Sequence, residues 1–158
     1  MNLMSSLKNS ILNILKEKME STNTTDNSYG RQELPPVFKC EEKRDKYWGY
    51  ITTVFATDDF TLKEVFMKAG TQSSMEYHVR KDEYYYIQSG KLKVGMRIGR
   101  AQNKSLILEK GDVFHIPPGL MHMRIALEDT IVIEWSNKDD DTDSNIVEDG
   151  KTYTFIED

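Results

Sequence analysis

From about Leu34 onward the chain is a succession of short β-rich runs cut by Gly, Pro and Asp, and no helix-length segment separates them. The runs read YWGYITTVFA, FTLKEVFMKA, SSMEYHV, EYYYIQS, KLKVGMRI, KSLILE, DVFHIP, MHMRIA, TIVIEWS and TYTFI. Strands this short and this numerous must bury one face and hide their edges, so they predict an all-β sandwich or closed barrel. The 158 residues suffice for one domain with its own core.

The first twenty residues differ. Leu7, Ile11, Ile14, Leu15 and Met19 recur at helical spacing, with Ser5 or Ser6 available as N-cap, and predict one short amphipathic N-terminal helix. Its stripe is expected to pack on the barrel or on a partner subunit. The polar face mixes Lys8, Lys16 and Lys18 with Glu17 and Asn13, too weakly basic for a membrane surface. Residues 21–33 are polar and short-sided and read as a linker, which leaves 34–158 for the barrel. A net charge of -5 argues against nucleic acid or an anionic membrane as partner. With a single cysteine, Cys40, and no apolar run of spanning length, the expected location is the cytoplasm. NKDDDTDSN (137–145) reads as a solvated acidic loop, since the glycine and closing glutamate of a calcium loop are not in place.

Chemistry concentrates in GTQSSMEYHVRKDEYYYIQSG (70–90) and GDVFHIPPGLMH (111–122). Strand side chains alternate faces, so Glu76 and His78 project to one side, and a tight turn through Val79 to Asp82 can bring Glu83 opposite them. His122 must come from a strand distant in sequence but adjacent in the barrel. Two imidazoles and two carboxylates that converge either bind a cation or leave like charges facing each other. The alternative is that the histidines are hydrogen-bonded core residues and the glutamates rim charges. If His122 points inward, so does Arg124, while Met123 and Ile125 point out. Arg124 is then either a grip for a phosphate or carboxylate or a partner for Glu134. Tyr85 and Ile87 follow Glu83 inward, while Met75, Tyr77, Tyr84 and Tyr86 face outward as the interface of a homodimer. Lys91, Lys93 and Arg97 read as a solvated strand face.

The first segment resembles the first cupin motif, G-x5-H-x-H-x(3,4)-E-x6-G, with Gly70, His78, Glu83 and Gly90 in register and Glu76 in place of its first histidine. The second resembles the motif G-x5-P-x-G-x2-H-x3-N through Gly111, Pro117, Gly119 and His122, with Ala126 at the asparagine. The resemblance implies a double-stranded β-helix, or jelly-roll barrel, that holds one divalent metal (Zn, Mn, Ni or Fe) through Glu76, His78, Glu83 and His122. Residues 45–156 are most similar to the cupin domain of bifunctional mannose-6-phosphate isomerases. Tyr47-Trp48-Gly49, Ser74, Ile116-Pro117, Ile133-Glu134 and the closing NIVEDGKTY stand at that family's positions. This implies a sugar or sugar phosphate as substrate, with Arg124, Tyr85 and Ser74 as substrate-binding residues. It also implies Glu134 or a metal-bound water as the base of an aldose–ketose isomerisation, with Arg124 beside it. The family's glutamine ligand is Glu76 here, so a dication held by two carboxylates would be formally neutral and a weaker Lewis acid. A different metal-cupin reaction, such as oxygen chemistry on iron, and a non-catalytic sugar-binding module are the other readings.

Overall fold

The computed structural model describes residues 34, 36–137 and 139–158. The predicted N-terminal helix (1–20) and linker (21–33) lie outside the described residues. The chain divides into a unit ending at Pro36 and a unit of Val37–Asp158, and the second carries the β structure.

Eleven strands follow in order: β1 (Arg44–Lys46), β2 (Gly49–Ala56), β3 (Phe60–Met67), β4 (Met75–Tyr77), β5 (Glu83–Ser89), β6 (Lys91–Ile98), β7 (Gln102–Glu109), β8 (Val113–Ile116), β9 (Met121–Ala126), β10 (Thr130–Asn137) and β11 (Asn145–Glu148). They form a six-stranded sheet, β1-β2-β3-β10-β5-β8, and a five-stranded sheet, β11-β4-β9-β6-β7, with all pairs antiparallel. The crossover of chain-distant strands within each sheet is the jelly roll expected from the strand pattern. Among the described residues no helix is long and apolar enough to cross a membrane.

The core is built where the two inner faces meet. Val65, Met67, Tyr85, Ile87, Ile116 and Val132 from the first sheet pack with Leu92, Val94, Leu108 and Ala126 from the second. On β5 the alternation behaves as expected: Glu83, Tyr85 and Ile87 are buried, while Tyr84 and Tyr86 face away.

Two expectations are corrected at the edges. TYTFI is not a strand; the tail after Gly150 runs along the outer face of β6 and β7 without joining either sheet. There Asn103 N and the Asp158 carboxylate pair at 2.7 Å, Ser105 Oγ donates to Glu157 at 2.8 Å, and Arg97 donates to Glu148 and Tyr153. Arg97 is therefore not part of a solvated face. Gly95 on β6 leaves room for the Phe155 ring, since a Cβ there would stand 2.8 Å from it. The second correction follows. Met75, expected to face outward in a dimer interface, and Met123, expected to point out, are both 0% exposed. They do point away from the barrel interior, on the outer face of the five-stranded sheet, where Phe155 of the tail packs over Gly95, the partner of Met123.

Candidate metal centre

β4 and β9 are neighbours, and their register sets Glu76 directly opposite His122. His78 follows Glu76 by two residues and shares its side. The loop that delivers His122 is held by Gly119, whose φ of +84° suits glycine and whose N–H donates to His78 O at 2.7 Å. The ligand-capable atoms of Glu76, His78 and His122 all lie within 4.8 Å of one another.

Both imidazoles are oriented from behind. His78 Nδ1 lies 3.0 Å from the Asp143 carbonyl and His122 Nδ1 lies 3.0 Å from the Leu120 carbonyl. A carbonyl oxygen only accepts, so each Nδ1 carries the hydrogen and each Nε2 presents a lone pair. His122 Nε2 is buried and has no hydrogen-bond partner. Glu83 Oε1 stands 3.0 Å from that nitrogen and 3.8 Å from His78 Nε2, without hydrogen-bond alignment. Lone pairs and a carboxylate oxygen at these separations repel unless a cation lies among them. Two imidazoles fixed by backbone carbonyls, with carboxylate oxygens alongside, form a donor set suited to a divalent transition metal. Glu76, His78 and His122 could hold such an ion, and Glu83 stands beside them. Glu76 also accepts a short hydrogen bond from Ser144.

Behind this group lies a buried charge network in which the sequence had marked only Glu134 and Arg124. Lys81 Nζ meets Glu134 Oε1 at 2.6 Å, Glu83 Oε2 at 2.7 Å and Asp139 Oδ1 at 3.4 Å. Three donors thus find three carboxylates. Lys63 pairs with Asp139 and reaches Glu134 Oε1 at 4.0 Å. Arg124 meets Glu134 Oε2 at 3.3 Å and Glu76 Oε1 at 3.7 Å, its guanidinium 5.5 Å from the rings of both Trp48 and Tyr85. Burial by itself would lower the Lys81 pKa, but Glu134 and Glu83 outweigh it and hold the ammonium charged. Burial would raise the Glu83 carboxyl, yet the Lys81 ammonium at 2.7 Å holds it well below the usual carboxylate range. Glu76 is likewise lowered, by Arg124 and Ser144 against the effect of burial. Because Lys81 neutralises Glu83, an ion placed here would keep net positive charge, contrary to the formal neutrality expected from two carboxylates alone.

The acidic segment is exposed at Asn137, Asp140, Asp141, Thr142 and Ser144, as expected of a solvated loop, but not at Asp143. Asp143 is 4% exposed, and its carboxylate accepts the N–H groups of Val79, Arg80 and Lys81 at 3.0, 2.9 and 2.9 Å. One side chain therefore fixes the turn that carries both Lys81 and Glu83, while its own carbonyl orients His78. Asp139 belongs to the Lys63–Lys81 network.

All of these groups line one cavity of about 280 Å³, except His122, which is buried beside it, and Asp143. Arg124, Tyr85, Ser74 and Glu134 line it too. Tyr85 is a buried core residue whose hydroxyl donates to Glu83 Oε1 at 3.4 Å, and Ser74 Oγ accepts from Gly150 N at 3.2 Å. Among the described residues, the sequence reading did not anticipate Lys63, Lys81, Asp139, Arg44 or Lys46 in the lining.

The depressed carboxylates set the direction of the acid response. Glu76, Glu83 and Asp139 are ionised in the folded chain at pH values where an unfolded chain, with ordinary values near about 4, binds protons. Their contribution is complete above about pH 5 and is lost as pH falls through the folded values. Urea midpoints measured from pH 7 down to pH 3 are expected to hold steady and then fall steeply below about pH 4.5. A flat profile down to pH 3 would contradict the buried ion pairs.

Comparison with known proteins places this geometry. Residues 54–154 match the family described as Cupin. No curated protein matches the chain. Among solved structures the chain is similar to KdgF from Halomonas sp. at 25% identity and a TM-score of 0.57, over 65% of this chain and 92% of that one. It is similar to the capsular polysaccharide assembling protein CapF of Staphylococcus aureus at 24% identity and a TM-score of 0.62, over 68% of this chain and 32% of that one. It also resembles oxalate decarboxylase of Bacillus subtilis at 17% identity and a TM-score of 0.60, over 73% and 34%. The chain thus spans about a third of the last two.

Proposed function

The chain belongs to the cupin family, and from that premise we propose that it is a metal-dependent enzyme that isomerises a small sugar phosphate between aldose and ketose forms. The observation that carries the reading is the pair of backbone-fixed imidazoles, His78 on the cavity wall and His122 buried beside it, with carboxylate oxygens alongside. The cavity's size, at the small end of the roughly 300–1,000 Å³ of small-molecule sites, suits a metabolite better than a polymer.

In this reading Glu76, His78 and His122 hold the ion, with Glu83 as the fourth donor. When bound, the ion supplies Lewis acidity at the substrate's carbonyl oxygen and neighbouring hydroxyl. Arg124 lines the cavity with its guanidinium 5.5 Å from the Trp48 and Tyr85 rings, and stabilises negative charge that develops on those oxygens. Glu134 Oε1 is taken by Lys81 at 2.6 Å. Its Oε2 has only the long 3.3 Å contact to Arg124 and is the oxygen that takes the proton from the carbon beside the carbonyl. That proton returns to the former carbonyl carbon while the neighbouring hydroxyl's proton passes to the former carbonyl oxygen, so the reaction needs no co-reactant. Tyr85 holds Glu83 rather than substrate, and Ser74 meets the sugar at the cavity wall.

The test is incubation of the metal-loaded protein with mannose 6-phosphate or fructose 6-phosphate in heavy water, followed by NMR. Interconversion with deuterium at the exchanging carbon is the expected result; binding without exchange would overturn the reading. A second reading has one observation in its favour. With Glu83 tied to Lys81, the remaining two histidines and one carboxylate are the set used by iron oxygenases. Oxygen uptake on loading with iron would select it. The homodimer is carried forward on the exposed Tyr86, Val113 and Trp135 of the six-stranded sheet's outer face and is tested by sedimentation.

A further inference from the structure

We propose that Arg44 and Lys46, on the first strand of the barrel, form an anion subsite at the cavity mouth that takes the phosphate of the substrate. The inference rests on the sugar-phosphate reading and adds an orientation: phosphate outermost, reacting carbons inward.

Inside the cavity Lys63, Lys81 and Arg124 each already face two or three carboxylates within 4.0 Å. Three buried cations stand against Glu76, Glu83, Glu134 and Asp139. A phosphate monoester, carrying about −1.5 to −2 at neutral pH, finds there one buried donor without a partner, Arg124 Nε, and four carboxylates to repel it.

The mouth is different. β1 pairs with β2 so that Arg44 lies opposite Ile51 and Lys46 opposite Gly49. Strand alternation sends Arg44 and Lys46 to one side and Asp45 to the other, and both basic residues line the cavity whereas Asp45 does not. Gly49 has no side chain to cover Lys46. Lys46 makes no hydrogen bond or ion pair with any described residue. Arg44 has only Asp141 at 3.9 Å, with side chains 43% and 85% exposed, a contact of little worth. The other acidic residue of the rim, Asp140, is taken by Arg80 at 2.9 Å and by Thr142. Two cations therefore face the entrance with their donors available, and Arg44 offers the forked geometry that suits phosphate oxygens.

The experiment is calorimetric titration of the full chain with inorganic phosphate, mannose 6-phosphate and mannose. It compares the wild type with Lys46→Met, Arg44→Gln and, as a control, Arg100→Gln, an exposed cation outside the cavity lining. Both mouth residues are exposed, so the variants fold and keep their metal content. Each is expected to weaken phosphate and mannose 6-phosphate about tenfold, the loss of one charge-assisted hydrogen bond, and to leave mannose unchanged. Unchanged phosphate affinity in Lys46→Met would overturn the subsite. So would an equal loss for mannose, an equal loss in Arg100→Gln, or no phosphate binding by the wild type. The two readings fail separately. Lys46-dependent phosphate binding with no sugar-phosphate turnover sinks the isomerase and leaves the subsite, whereas turnover with unaltered KM in Lys46→Met does the reverse.

Discussion

Lys81→Met is expected to remove about 3–5 kcal/mol of folding stability, the usual consequence of taking one partner from a buried ion pair. The size follows from what the ammonium holds together. Glu83, Glu134 and Asp139 reach it at 2.7, 2.6 and 3.4 Å, and Glu83 and Glu134 are almost wholly buried. Without Lys81 the network keeps Lys63 and Arg124, neither of which contacts Glu83, so that carboxylate is left with the imidazoles and the long contact from the Tyr85 hydroxyl. Methionine nearly fills the volume, and the effect is therefore one of charge rather than of a void. Neutralising a carboxylate in the same chain, as in Lys81→Met with Glu134→Gln, is expected to recover part of the loss. Urea denaturation of the three chains measures both quantities. A single-variant loss below about 1 kcal/mol would mean that water already screens these groups, as it does for surface pairs.

Asp143→Ala is expected to weaken metal binding by about 10–100-fold, although Asp143 is not itself one of the ligand-capable trio. Its carboxylate holds the N–H groups of Val79, Arg80 and Lys81, and its carbonyl holds His78 Nδ1. The substitution frees the turn that aims Glu83 and Lys81, and it loosens the carbonyl that decides which nitrogen of His78 is protonated. Competition with a chromophoric chelator gives the affinity, and nitrogen NMR of His78 gives the tautomer. A mixed tautomer population together with the weaker affinity separates positioning from mere destabilisation. Unaltered affinity would show that the turn is held by other contacts.

Period-two alternation made much of this centre legible. Glu76 and His78 share a face because they are two residues apart on one strand, and Arg124 follows His122 inward for the same reason. β5 could be read with confidence in its facing because its inward positions lead into Ile87 and its outward positions are tyrosines. β3 could not: Val65 and Met67 lie on one face, Leu62 and Phe66 on the other, so alternation does not say that Lys63 points inward. Lys81 was hidden for another reason. It sits in a turn, where side-chain direction has no period, and lysine in a turn is ordinarily solvated. Asp143 lay among aspartates whose composition signals solvent exposure, and only a contact more than sixty residues away in sequence buries it. The same long-range docking of the tail explains Met75 and Met123. Their strand faces were read correctly, but the cover that buries them comes from residues with no strand pattern of their own.

The central claim is that this cavity holds a divalent metal on His78, His122 and the glutamates beside them. The most direct measurement is elemental analysis of the purified protein, made alongside His122→Ala after folding of both has been checked by circular dichroism. The account predicts about one zinc, manganese, nickel or iron per wild-type chain, and loss of most of it from a His122→Ala protein that remains folded. A folded wild-type chain that takes up none of these ions when they are supplied, or a His122→Ala chain that retains its ion in full, would contradict it.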